Sequence, residues 1–489
     1  MLFNSHIFML LFLPLLLAGW YFLNWKKKFQ LAQGYLIGMS LWFYAYANLQ
    51  YLWLLLFSCL IGWLLSCLPE KIFSEKGKKV LTGVGCVFHL GLLGYFKYSN
   101  FFLENLNTVF HTDFPMLQIL LPVGISFYTF QQLAYLIDRC RGDAPRDRFF
   151  DYLTFMVYFP QLLQGPILLR SEFMGQLKEP ERRRFHAERF SEGIQFFVFG
   201  LAKKVLLADT LAKAVNYGYS NVSMLDSISA LLLAVGYLTE LYFDFSGYCD
   251  MAVGLGKMIG LEVAENFDAP FHSASVKEFW RRWHMTLGRF FTRYVYIPLG
   301  GNRRGKMRTL CNVMIVMLLS GLWHGAAWTF VLWGFLHGVG MIWDNLEHPH
   351  LPKKWMRQAA TFAYVCMTFV FFRAGSIAQG IDVLKSIVSL KWNGFVFQMA
   401  SALDLTEFYM ITKALSMKLP GLLSWFWLGI FVVLIAICFR VLSGKKVSGV
   451  VALQKQKGYG RLYPVVLAVL FTWSMISMTG VSEYLYFSF

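Results

Sequence analysis

Apolar stretches of about 20 residues follow one another along this chain, and each is long enough to carry an α-helix through a bilayer core about 30 Å thick. The clearest lie near residues 5–24, 31–48, 50–68, 80–97, 117–137, 190–208, 226–246, 308–323, 325–343, 357–374, 421–440 and 461–480. The chain is 57% hydrophobic and only 15% charged, whereas an average soluble protein is about 25% charged. The expected fold is therefore all-α, a polytopic membrane protein of about 11–13 transmembrane helices with further re-entrant or interfacial helices. Residues 150–168 and 276–299 are aromatic and amphipathic rather than uniformly apolar, so they are expected to lie in the interface or to re-enter. Region 375–420 reads either as an outer loop or as a concealed pair of spans.

A net charge of +17 would suit a nucleic-acid partner, but the basic residues stand in short loops between apolar runs, where Lys and Arg set orientation. The bilayer is the expected partner, and nucleic acid is not. With Lys26–Lys28 in the cytoplasm, counting spans places 71–79, 139–148, 170–189, 277–307, 344–356 and 440–460 there too, all basic, and leaves both termini extracytoplasmic. The first span, His6 to Trp25, has no basic leader or small-residue cleavage site and is expected to stay as an anchor. Eight cysteines are scattered without a C-x-x-C pair, which gives neither a disulfide framework nor a zinc site. The 16 Trp and 24 Tyr suit rings placed at the membrane interface.

Three places put polar residues where an apolar span should have none. An ionisable side chain at mid-membrane costs about 2.5–3.5 kcal/mol on insertion scales, so it calls for a partner, a cavity or a function. The first place, 275–306, sets eight basic residues, among them Arg281 and Arg282, against Glu278, interleaved with aromatics such as Trp283 and with His284 in their midst. It reads as an interfacial helix on anionic lipid, as a cytoplasmic mouth for a phosphate-bearing thioester donor, or as both. Within it, GGNRRGK (300–306) fits the P-loop spacing, but Met307 replaces the hydroxyl that holds magnesium, so no nucleotide site is expected.

The second place, 239–260, carries Glu240, Asp244 and Asp250 around Ser246, Gly247 and Tyr248. It reads as carboxylates at the end of a span, either in search of partners or at the interface. The third is His324, between Trp323 and Gly325 in a long apolar run. A lone histidine there is more often an interhelical hydrogen-bonding group, yet a neutral imidazole is also suited to accept a proton from a hydroxyl.

FPQLLQGPI (159–167), YFDFSGYCDMAVGLGKMIG (242–260), SVKEFWRRWHMTLGRFFTRYVYIPLGG (275–301) and LSGLWHGAAWTFVLWG (319–334) occur in an order that resembles the membrane-bound O-acyltransferase (MBOAT) family, most of all its bacterial alginate O-acetyltransferase-like subgroup. The resemblance implies a helical bundle around a central channel. It divides the chain into N-terminal helices (1–114), a catalytic core (115–345) and C-terminal helices with an extracytoplasmic tail (346–489). It implies His324 as the catalytic base and His284 as a supporting or substrate-orienting group. Trp323, Asp244, Arg281, Arg282, Trp283 and Tyr248 become candidates for binding donor or substrate. The donor it implies is acetyl-coenzyme A or an acyl-carrier thioester, used as a substrate, with no bound cofactor and no metal. The acceptor is an exported or cell-wall polysaccharide, reached through a separate extracytoplasmic acetyltransferase partner, and the location is a bacterial inner membrane.

The C-terminal YLYFSF resembles that subgroup's tail, which makes Tyr486 a candidate acyl relay and leaves Tyr484 as a second phenol. Thioester, aryl ester and alkyl ester descend in acyl-transfer potential, so a tyrosine relay would split one transfer into two easier ones. An interfacial aromatic anchor explains the same tail. The alternatives are transfer of another acyl group, such as D-alanyl or a group bound for lipid, a His324-dependent transporter, and a non-catalytic scaffold.

Overall fold

A computed structural model describes residues 1–47, 49–67, 75–346, 352–442, 446–458, 460 and 462–478. Among the described residues the chain is helical throughout, with no strand. The helices used below are α1 (Phe8–Trp25), α2 (Phe29–Ala47), α3 (Leu49–Cys67), α4 (Lys76–Phe110), α5 (Ile125–Arg141), α6 (Ala187–Ala202), α7 (Asp209–Ser220), α8 (Ser227–Ile259), α9 (Val276–Arg282), α10 (Met285–Phe291), α11 (Lys306–His324), α12 (Trp328–Trp343), α13 (Lys354–Arg373), α14 (Pro420–Leu442) and α15 (Leu462–Ser477). Six of them, α1, α3, α4, α8, α11 and α14, are long and apolar enough to cross a membrane. The remaining predicted spans also fall on helices, which are shorter or richer in polar residues.

Two boundaries move for local reasons. The span expected from residue 117 begins only at Ile125, because Pro122 disfavours helical backbone before it and Gly124 takes a left-handed conformation at φ 77°. The span expected to end near 246 instead runs unbroken to Ile259, where Gly260 at φ 82° stops it. At 1.5 Å per residue α8 is about 50 Å long, well beyond a bilayer core.

Helix α8 is the axis of the molecule, buried along most of its length. It packs tightly against α6 because small residues let the two backbones touch. A Cβ added to Gly200 would lie 2.6 Å from the Gly247 carbonyl oxygen, and one on Gly254 would lie 2.6 Å from that of Gly193. This contact carries α8 past the glycine-rich stretch that the sequence alone reads as an end. Its N-terminus is fixed by Asp226, whose carboxylate accepts from Ser229 N at 2.8 Å and from the Asn393 and Gly394 amides at 3.2 and 3.1 Å. Region 375–420 folds into short helices, Ile377–Val388, Phe395–Ser401 and Tyr409–Lys418, none of them long enough to be the concealed span pair.

Polar contacts between loops sort the chain into two ends. At one end Arg170 pairs with Asp147, Arg183 donates to the Phe29 carbonyl at 3.3 Å, Arg293 meets Asp138 at 3.0 Å, and Lys446 meets Glu265 at 3.1 Å. At the other, Trp328 donates to Asn105 at 2.8 Å, Arg373 to Asn216 at 2.9 Å and Ser477 to Glu407 at 2.7 Å. Four of the loops expected to share one side, 139–148, 170–189, 277–307 and 440–460, contribute residues to the first end.

Candidate active site

Helices α11 and α12 form a hairpin whose turn, Gly325 to Ala327, places His324 at the last residue of α11. The hairpin closes tightly because a Cβ at Gly321 would come within 2.3 Å of the Phe330 carbonyl oxygen. His324 is buried, with ring centroids of Trp333 and Phe372 at 5.2 and 5.1 Å, both edge-on. Trp323 is held by aromatic packing, stacked on Phe130 at 5.3 Å and edge-on to Phe127 at 5.2 Å.

The stretch 276–299 is neither one interfacial helix nor a simple re-entrant rod. It breaks into α9 and α10 at His284, which adopts a left-handed conformation, φ 47° and ψ 50°. Histidine visits that region more readily than bulky apolar residues do, and such backbone concentrates at functional sites. The break swings His284 inward beside α8, with Phe245 edge-on at 4.7 Å, and brings its ring centroid to 6.4 Å from that of His324.

Asn266 holds this bend. Its backbone oxygen accepts from Met285 N at 3.0 Å, and its side-chain Oδ1 accepts from both the amide and the hydroxyl of Thr286 at 3.0 Å. The same Oδ1 lies 3.3 Å from His284 Nδ1. An amide oxygen only accepts, so in neutral His284 the proton sits on Nδ1 and Nε2 keeps its lone pair.

A cavity of about 50 Å³ reaches His324 and Trp323, bounded by Lys97, Gly124, Ser126, Phe127 and Leu163. A larger cavity, about 1590 Å³, lies elsewhere, against α14 and α15, and its lining holds neither histidine. The smaller cavity is the one that meets the candidate base.

The remaining expected site residues disperse. Asp244 pairs with Lys204 at 2.6 Å, and Lys204 also meets Asp209 at 2.8 Å; Asp250 pairs with Lys203 at 2.6 Å. Tyr248 is buried and stacked on Phe3 at 4.7 Å, within the N-terminal aromatic cluster. Trp283 is buried against Phe279 and Phe267, at 5.4 and 5.1 Å. Arg282 pairs with Glu278 at 2.9 Å, whereas Arg281 is exposed. The apparent excess of positive charge in 275–306 is partly answered from other segments, since Arg289 meets Glu172 and Arg293 meets Asp143 at 2.9 Å. Exposed Arg303, Arg304 and Lys306 leave a basic surface at the turn before α11. Tyr484 and Tyr486 lie outside the described residues. No cluster of metal-ligating side chains occurs among the described residues.

Three buried or half-buried residues escape a reading of the sequence. Asn266 sits in a loop with no apolar pattern to set it off. His337 is locked between Trp280 Nε1 at 3.2 Å and the Thr368 hydroxyl at 2.9 Å, a hydrogen-bonded core residue of α12. Lys97 reads as a lysine near the end of a span, yet its Nζ donates to the carbonyls of Trp323 and His324 at 2.7 and 3.0 Å.

Comparison with known proteins adds an independent line. Residues 146–381 match the MBOAT, membrane-bound O-acyltransferase family. A peptidoglycan O-acetyltransferase of Helicobacter pylori is 35% identical over 423 residues, 80% of each chain. A probable alginate O-acetylase of Pseudomonas aeruginosa is 38% identical over 407 residues, 80% of this chain and 75% of that one. A teichoic acid D-alanyltransferase of Streptococcus thermophilus is 28% identical over 253 residues, 49% of this chain and 58% of the relative.

Proposed function

Because this chain belongs to the membrane-bound O-acyltransferase family and is a multi-pass membrane O-acyltransferase, we propose that it moves an acetyl group from a cytoplasmic thioester to the hydroxyls of an exported or cell-wall polysaccharide. The observation that carries this reading is His324 at the wall of a cavity of about 50 Å³, with the ring centroid of His284 6.4 Å from its own. That volume has room for a few water-sized groups and so favours a short acyl group over a fatty chain. The relatives named for peptidoglycan and alginate favour a glycan acceptor.

In this mechanism His324 takes the proton of the attacking hydroxyl as the new C–O bond forms, then returns it to the departing thiolate as the C–S bond breaks. His284, whose ring stands next to that of His324, is the supporting or substrate-orienting group, with Nε2 as acceptor. The hydroxyl that attacks first belongs to Tyr486, which then hands the acetyl group to an extracytoplasmic acetyltransferase partner or to the glycan itself. The donor is acetyl-coenzyme A or an acyl-carrier thioester, whose phosphates suit the basic surface around Arg281, Arg303 and Arg304. The basic end of the bundle faces the cytoplasm of a bacterial inner membrane, and residues 115–345 form the catalytic core.

The test is peptide mass spectrometry of purified protein after incubation with isotopically labelled acetyl-coenzyme A. A labelled acetyl ester on the C-terminal peptide, lost in both His324→Ala and Tyr486→Phe, is the expected result. Turnover without that ester would remove the relay and leave direct transfer. Donor that is neither bound nor consumed would overturn the choice of donor.

A further inference from the structure

We infer that Lys97 is the positioning residue of the candidate base, holding the end of α11 so that His324 faces the cavity. The inference rests on the assignment of His324 above and deepens it. A helix leaves its last carbonyls without intrahelical partners, and α11 ends inside the protein, where an unmet carbonyl is costly. Consecutive residues of α4 meet three of them. The Tyr98 hydroxyl donates to Leu322 O at 2.5 Å, and Lys97 Nζ donates to Trp323 O at 2.7 Å and to His324 O at 3.0 Å. The same Nζ stands 3.5 Å from the Ser126 hydroxyl.

Local structure explains how neighbours on one helix reach one target. Lys97 and Tyr98 belong to a π-helical turn, Gly94–Tyr98, in the middle of α4. The residue inserted by such a turn re-aims the side chains on it, and these turns recur at functional sites. A cation is also the favoured partner for a helix C-terminus, where the backbone dipoles leave partial negative charge. One tetrahedral ammonium serves two carbonyls and a hydroxyl, a task that a planar amide with its two donors cannot match. Since Lys97 also borders the cavity beside His324, moving its head group moves both the base and the wall it faces.

The experiment is a double-mutant cycle on acetyl transfer, with Lys97→Met and Lys97→Arg each made alone and in the His324→Ala background. Thermal stability in detergent is measured for every protein. Lys97→Met is expected to lower kcat by about 10–100-fold, the cost of a base displaced by around 1 Å, with KM for the donor unchanged. Lys97→Arg should recover most of the loss, because it keeps the charge and the donors. In the His324→Ala background Lys97→Met should lower the residual rate no further.

An equal loss in both backgrounds, or a raised KM with kcat intact, would overturn the inference and leave Lys97 as a general structural or donor-binding residue. Should Lys97→Met fail to fold, Lys97→Gln carries the same cycle. A wild-type rate in His324→Ala would bring down the assignment of the base itself. A dead His324→Ala beside a fully active Lys97→Met would bring down only the role of Lys97.

Discussion

Two sides of α8 meet buried ionisable groups, and the groups are treated oppositely. On one face Asp244 and Asp250 are each met by a lysine at 2.6 Å, a ladder of opposite charges drawn from the segment after α6. On the other, Phe245 borders a pocket in which His284 and His324 are surrounded by aromatic rings and steadied through an amide and through backbone carbonyls. The first arrangement pairs every charge with an opposite one and acts as a clasp between helices. The second keeps one imidazole, His324, at the wall of a cavity with the other next to it, which is what a proton-transferring site needs. A polar residue in an apolar run is therefore two signals in one, and the neighbours decide which.

The contrast breaks first at His324. Replacing it with alanine should reduce acetyl transfer by about 100- to 10,000-fold, the range of a lost general base, while the melting temperature in detergent stays near that of wild type. A fold that collapses with the activity would make His324 part of the clasp instead.

The opposite pattern is expected of Lys204. Lys204→Met strands the buried carboxylate of Asp244 and should destabilise the protein by about 3–5 kcal/mol, read as a lowered melting temperature, with kcat per folded molecule unchanged. Adding Asp244→Leu should recover most of that stability, because an apolar pair can replace a buried ion pair. A loss of kcat that this second change fails to repair would draw the ladder into the mechanism.

His284 sharpens the comparison from within the pocket. His284→Asn keeps a polar group and a tolerance for left-handed backbone, so it should lose about 10-fold in activity, whereas His284→Ala should lose that and some stability as well. Comparing the two variants by initial rates and thermal melts separates backbone strain from imidazole chemistry.

The smallest effect is expected at Asp226, at the end of the molecule away from the basic loops. Donors from Ser229, Asn393 and Gly394 outweigh its burial and hold its carboxyl below the usual carboxylate range. Its stabilising contribution is full above the ordinary Asp value near 3.9 and is lost as pH falls through the lower folded value. Asp226→Ala should cost about 0.5–2 kcal/mol at neutral pH, and melts should show the two proteins converging as pH falls through the lowered folded value.

Much of this architecture is legible in the sequence because transmembrane helices announce themselves by length and apolarity, and each of the twelve apolar stretches contains a helix among its described residues. His324 and His284 are legible through the motifs that contain them, not through position. The contacts that define the pocket are not, because they join segments far apart in the chain. Nothing local marks Asn266 as the clamp on His284, or Lys97 as the cap of α11. One clue to the ladder was present: Lys203 and Lys204 interrupt an apolar run just as Asp244 and Asp250 do, and matching unlike charges across spans would have paired them. Motif membership alone makes Asp244, Tyr248 and Trp283 candidates, and the structure gives them an ion pair, a stacked ring and an aromatic core.

The hydrogen bond from Lys97 to the Trp323 carbonyl joins residues 226 positions apart, and this sets an order of assembly. At about 5–20 residues per second of translation, something on the order of ten seconds or more separates the emergence of the lysine from that of the histidine segment. Lys97 and its helix are thus synthesised before α11 exists for them to hold. The pocket closes as a late event of biogenesis, and a nascent chain halted between the two cannot hold a finished site.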